Sequence, residues 1–241
     1  MRWWNSLLRG AKSVALCREG GVRAVWKLLA AYGAYALWAW AAAYLLSWGF
    51  GALFEAWNLN VQTVELAPGW AQALFAHYGR LISLITSAGT LALSFALLRL
   101  FARGRPGRLR AAHFAMGALA GAACVALGAG LFLLMDSMRP YARGFSLNAG
   151  LVWMLAVYLL AALAEERFVR DLTMRVAALH AKRAWAYVAS CAMFMAVTGG
   201  YALAPLGVVN MLLFALVCAR LSATGRAGLS VGLRFAWSWA S

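Results

Sequence analysis

The sequence predicts an all-α, polytopic membrane bundle of about six to eight helices, and three observations lead there. Hydrophobic residues make up 65% of the chain and charged residues only 12%, where a soluble domain carries roughly a quarter. The apolar residues fall into blocks, several of them near the ~20 residues that a helix rising ~1.5 Å per residue needs to cross ~30 Å of hydrocarbon. Arginine and lysine collect in alternate segments between the blocks. Lipid offers no hydrogen-bond partner to an open backbone, so each block reads as a helix.

The elements follow in chain order. Residues 1–27 read as a basic amphipathic segment lying in the membrane interface. Trp3, Trp4, Leu7, Leu8, Ala11 and Val14 share one helical face, with Arg2, Arg9 and Lys12 elsewhere. An organellar transit peptide fits the same pattern, and no uninterrupted apolar run marks an ordinary signal peptide. Residues 28–149 hold the N-terminal membrane helices, with apolar blocks over 28–54, 81–101 and 114–135. Residues 150–241 form the core region. A block over 148–164 ends at two glutamates, and further blocks cover 184–198, 204–221 and 228–241. The last has about 14 residues, short of a full crossing, and calls for shielding by its neighbours. The run "GALAG" at 117–121 suits a close helix–helix contact, because two glycines one turn apart let backbones approach.

Charge sets the expected orientation. Eighteen of the 22 basic residues stand in four alternate segments: before the first block, after the second, after the fourth and after the sixth. The positive-inside rule places these in the cytoplasm, with the N-terminus, and makes the chain a multi-pass protein of a plasma membrane of the bacterial inner-membrane type. Arg80, Arg139 and Arg143 then face outward with Glu55, Glu65 and Asp136. On this reading the net charge of +15 expresses topology and affinity for anionic lipids of the bilayer. Nucleic acid is not an expected partner, since no basic patch interleaved with stacking aromatics lies outside the apolar blocks. Cys17, Cys124, Cys191 and Cys218 are isolated, with no CxxC, and read as small buried hydrophobes.

Two of only seven acids sit side by side at Glu165 and Glu166, at the end of an apolar block. One reading is a charged helix end in the headgroups beside Arg167 and Arg170. The other is functional. Adjacent helical residues point about 100° apart, so one carboxylate can turn to water or Arg and the other into the bundle. Glu166 and Arg170 are spaced for an i, i+4 ion pair, which leaves Glu165 as the inward one. A carboxylate facing a bundle interior is costly and marks a functional candidate.

The longer pattern carries a resemblance. "EERFVRD" holds Glu165, Glu166 and Arg170 as EExxxR. "SCAMFMAVT" follows on the next block with Ser190 and Phe194. "TGRAGLSVGLRFAWSW" closes the chain through Thr224, Gly225, Gly232, Leu233, Phe235, Ala236 and Trp237. In order and spacing these segments resemble the CPBP family, intramembrane proteases of the CAAX-prenyl-protease and bacteriocin-processing type. The resemblance covers about 150–239. The family carries FxxxH in its second motif and HxxxN or HxxxD in its third, and here those positions read Thr198, Arg234 and Ser238. It implies a CPBP-type helical core in which Glu165, with the second-motif histidine, would activate a water, supported by Glu166 and Arg170. The third-motif positions would bind metal or stabilise an oxyanion.

The departures change what the site can do. Threonine cannot accept a proton at neutral pH or hold zinc well, and arginine is neither base nor metal ligand. His77, His113 and His180 do not replace the missing pair, so no metal and no other cofactor is expected. An Arg234–Glu165 ion pair is expected in place of the lost histidine chemistry. The reading is thus a degenerate member, a pseudoenzyme that binds a membrane or prenylated peptide without cutting it. Two alternatives stay open: an active endopeptidase with altered site chemistry, and an ion or solute transporter or channel component that uses the glutamate pair.

Overall fold

The computed structural model describes residues 24–60, 63–102, 109–135, 149–179, 183–198 and 205–240. These residues are almost wholly helical, with no strand among them. Eight α-helices run in chain order: α1 (Ala24–Ala56), α2 (Gly69–Ala102), α3 (Ala111–Leu134), α4 (Ala149–Glu165), α5 (Thr173–Ala178), α6 (Arg183–Thr198), α7 (Pro205–Ala223) and α8 (Ala227–Ala240). A short 3₁₀ turn, Val64–Leu66, lies between α1 and α2, and a π-helical segment, Glu166–Leu172, joins α4 to α5. The interfacial segment expected over 1–27 lies outside the described residues up to position 23, and so do His180, Arg139 and Arg143.

The solvent pattern is that of a membrane protein. α1, α2 and α3 are each long and apolar enough to span a bilayer. Large apolar side chains on them point outward, as Trp40 at 64% and Leu119 at 71% exposure illustrate. Three charged side chains, by contrast, lie buried: Glu166, Arg167 and Arg170, the last only 1% exposed. Water would drive the opposite arrangement, so the outer face is matched to lipid.

The expected block over 148–164 does not end at the glutamates. α4, the π segment and α5 form one unbroken run from Ala149 to Ala178, and "EERFVRD" lies within it. The cause is local. Each charge of this stretch has at least one ionic contact within the bundle, so nothing forces the helix to stop. The π register widens the carbonyl ladder, and side chains take up the displaced acceptors. Thr173 donates its hydroxyl to the Phe168 carbonyl at 3.1 Å, and Ser190 of α6 donates to that of Val169 at 3.1 Å.

α3 and α8 pack most closely, and glycine explains why. Without a Cβ, Gly117 and Gly121 of α3 lie against the backbone of Leu229 and Leu233 in α8. Gly228 and Gly232 of α8 lie in turn against Arg110, Phe114 and Ala118. Small residues one turn apart on both partners supply the van der Waals contact that joins helices in lipid, where apolar side chains gain nothing by leaving hydrocarbon. The "GALAG" run thus does make a close contact, and α8 is sheltered against α3, α4 and α7, as its length required. At the neighbouring contact, the Trp38 indole of α1 fills the space over Gly89 of α2 and donates Nε1–H to the Thr86 carbonyl at 3.0 Å.

α7 ends in a tight turn. Gly225 has φ +76°, its N–H donates to Ser222 O, and the Arg226 N–H reaches back to Leu221 O at 3.1 Å. This is the Schellman pattern of a helix closed by a left-handed glycine. It brings Ser222, at the end of α7, and Ser230, in the first turns of α8, to the same buried carboxylate.

Candidate functional site

The two adjacent glutamates face two different cavities. Glu165 lines a cavity of about 610 Å³ enclosed by α1, α2, α4, α6, α7 and α8, while Glu166 borders a second, of about 730 Å³. The angular step between neighbouring helical positions makes this possible.

In the first cavity the wall from α4 is a helical stripe: Tyr158, Ala161 and Glu165 recur at i, i+3 and i+7, with Phe168 next. α6 contributes Phe194, Val197 and Thr198. α8 contributes Arg234, Trp237 and Ser238, and α7 adds Asn210 and Phe214. Glu165, Thr198, Arg234 and Ser238, expected from the sequence to share a site, therefore do line one cavity. The expected ion pair is present: Arg234 donates Nε–H to Glu165 Oε2 at 2.8 Å. Its guanidinium carbon also lies 5.5 Å from the Phe194 ring centroid and 6.0 Å from that of Phe214, within cation–π range.

The remaining polar groups are only partly engaged. Thr198 gives its hydroxyl proton to the Phe194 carbonyl at 2.7 Å. The second oxygen of Glu165, Oε1, is buried without a hydrogen-bond partner, and so is the Thr86 hydroxyl across the cavity. A buried unsatisfied carboxylate oxygen is costly, and a ligand that donates a proton to it recovers that cost. Among the described residues no three His, Cys, Asp or Glu side chains converge to hold a metal. His113 borders the second cavity. His77 lies beside Arg80, with Nδ1 3.3 Å from the guanidinium.

Glu166 departs from expectation. The i, i+4 spacing predicts that it faces Arg170 and water, with Glu165 the inward member. Instead Glu166 is 3% exposed and more deeply buried than its neighbour. It accepts hydrogen bonds from Ser222 at Oε1 and from Ser230 at Oε2, the latter at 2.8 Å. Arg170 Nε stands 3.6 Å from Oε2, so the pairing holds, but inside the bundle. Two hydroxyls and one guanidinium make a buried carboxylate tolerable, and none of the three alone would. Arg170 in turn lies with its guanidinium carbon 4.6 Å from the Phe194 centroid. Phe194 thereby has two guanidiniums within cation–π range, those of Arg170 and Arg234.

Sequence reasoning missed Tyr158, Asn210, Thr86, Ser222 and Ser230. Two had a legible signal. Tyr158 stands two turns before Glu165 on the same face, and Asn210 is a lone amide in an apolar helix, a placement costly in lipid; it borders the cavity while staying exposed. The serines had none, because their role depends on how the α7–α8 turn folds back.

Fold and cavity together define the class: a helical membrane protein with an ion pair set in a largely apolar cavity inside its bundle. No family model matches the chain, and no curated protein or solved structure matches it either.

Proposed function

We propose that this protein is a CPBP-like membrane protein that has lost proteolysis and uses its first cavity to bind a membrane-embedded or lipidated peptide. The observation that carries the proposal is the state of Glu165: one carboxylate oxygen bonded to Arg234 at 2.8 Å, the other buried and unpartnered.

Hydrolysis needs a group that takes a proton from water and passes it to the leaving amine. Beside Glu165, the residues at the two histidine positions cannot do this. A guanidinium has no free acceptor with which to take a proton, and the Thr198 hydroxyl is committed to a backbone carbonyl. The order and spacing of the three sequence segments support descent from the CPBP arrangement. The residues now at the histidine positions support its retirement as a protease.

Binding suits the same atoms. A peptide N–H can donate to Glu165 Oε1, and the aromatic walls from Phe194, Phe214 and Trp237 accept an apolar chain. The volume lies in the ~300–1,000 Å³ range of ligand sites.

The test is reconstitution of the full chain in liposomes with transmembrane and prenylated peptides, scoring capture by photo-cross-linking and cleavage by mass spectrometry. The expected outcome is capture of intact peptide, weakened by Glu165→Gln. Cleavage that vanishes in Glu165→Gln would instead establish an active endopeptidase.

A further inference from the structure

We propose that the second cavity, bordered by Glu166, is a binding site for a phosphate ester, the anion that phospholipid headgroups present. It does not depend on how the first cavity is used.

The cavity gathers arginines from parts of the chain far apart in sequence. Arg110 precedes α3, Arg167 and Arg170 come from the π segment, Arg175 from α5, and Arg226 from the α7–α8 turn. Against these five cations stand two carboxylates, Asp171 and Glu166. Asp171 is shared between Arg167 at 2.7 Å and Arg175 at 2.6 Å. Glu166 is occupied by two serine hydroxyls and by Arg170 at 3.6 Å. The acids bordering the cavity are thus already in use, and a positive excess remains on its walls.

Two observations point to a ligand. Arg170 is 99% buried, yet its Nε and Nη2 have no hydrogen-bond partner. A guanidinium presents its donors as a planar fork that matches phosphate oxygens; Nε has only its 3.6 Å ionic contact with Glu166 and Nη2 has no partner, which is costly in the interior. At the cavity rim, Arg110 and Arg226 are exposed and form no ion pair among the described residues. The N-termini of α3 and α8 start beside these two arginines, and the positive ends of their dipoles add to the same field.

The position suits a lipid source. Three of the four basic segments contribute to this one end of the bundle, the end that the positive-inside rule assigns to the cytoplasmic leaflet, where anionic lipids concentrate. Basic pockets between membrane helices at that level hold phospholipid headgroups. At about 730 Å³ the cavity is of ligand-site size.

The test uses the full chain in detergent, with native mass spectrometry counting bound phosphatidylglycerol against phosphatidylcholine and thermal unfolding as a second readout. Arg110→Gln/Arg226→Gln removes two exposed rim charges and leaves the packed interior intact. Arg99→Gln/Arg220→Gln removes the same charge from exposed positions outside the cavity. Phosphatidylglycerol retention is expected to fall about tenfold or more in the rim variant and to hold in the control. Arg110→Lys/Arg226→Lys is expected to keep most of it. Stabilisation by glycerol phosphate in solution equal to that by phosphatidylglycerol, and lost only in the rim variant, supports the site and assigns it to a soluble phosphate ester. Equal losses in rim and control variants, or no loss in either, overturn the proposal.

Discussion

Ser230 and Glu166, 64 residues apart, are joined inside the bundle by a 2.8 Å hydrogen bond to a carboxylate with almost no exposure. With Ser222 on the other oxygen, this bond fastens the π segment to the α7–α8 turn. It is also the partition between the two cavities, because Glu165 on its other side faces the ion-paired one.

Removing those hydroxyls strands a buried charge. Hydrogen bonds to ionised groups contribute about 1.5–3 kcal/mol each, so Ser222→Ala and Ser230→Ala are each expected to destabilise by that order. Glu166→Gln on the double-serine background is expected to restore part of the loss, since an uncharged amide is cheaper to leave underbonded. Thermal unfolding in detergent micelles checks the order of the four variants. A Ser230→Ala protein as stable as the parent would show that the carboxylate does not depend on this bond.

The α3–α8 contact gives a prediction with its own control. A Cβ on Gly232 would run into the Phe114 carbonyl and the Ala118 backbone nitrogen, neither of which can swing away. Gly232→Ala is therefore expected to cost at least the ~1–3 kcal/mol typical of overpacking. Gly128, further along α3, has nothing within 4 Å of such a Cβ. Gly128→Ala is expected to be neutral or to stabilise by up to about 0.5–1 kcal/mol through helix propensity. Comparable losses at both glycines would contradict the tight crossing.

Gly225 tests the turn that delivers the serines. Its φ of +76° is disfavoured for side chains by about 1–2 kcal/mol, so Gly225→Ala should lose about that much stability. Gly225→Asn should lose less, because asparagine visits this region more readily. If the two substitutions are equally harmless, the Schellman closure contributes nothing.

How much of this was legible beforehand differs by element. The apolar helices could be read because lipid imposes one rule on every residue facing it: α3 over Ala111–Leu134, long enough to span, and the shorter α6 over Arg183–Thr198 fall within a few residues of the expected blocks. The convergence of Glu165, Thr198, Arg234 and Ser238 was also readable, but only as what the resemblance of the three segments to the CPBP motifs implies. The continuation of α4 through "EERFVRD" was not. Judged by neighbours in sequence, five charges in seven residues look like a helix end. In the fold, Asp171 satisfies Arg167 and Arg175, and Ser222 and Ser230 satisfy Glu166. The early start of α2 at Gly69 escaped for a similar reason: its first turns carry Gln72, His77 and Arg80, which dilute the apolar signal of a helix extending beyond the hydrocarbon. The role of Glu166 was missed because its main partners lie 56 and 64 residues away, a distance that no local spacing encodes.

Glu165 and Arg234 are expected to act as one energetic unit across the first cavity, and a double-mutant cycle measures their coupling. Stability in detergent is measured for the parent, Glu165→Gln, Arg234→Met and the double variant. With a 2.8 Å contact and side-chain exposures of 13% and 19%, Arg234→Met alone should be the more damaging single change, because it leaves a largely buried carboxylate uncompensated. The double variant should recover part of that loss, with a coupling of about 1–3 kcal/mol. Additivity within about 0.5 kcal/mol would contradict the pairing and return Glu165 to the role of a free carboxylate in the cavity.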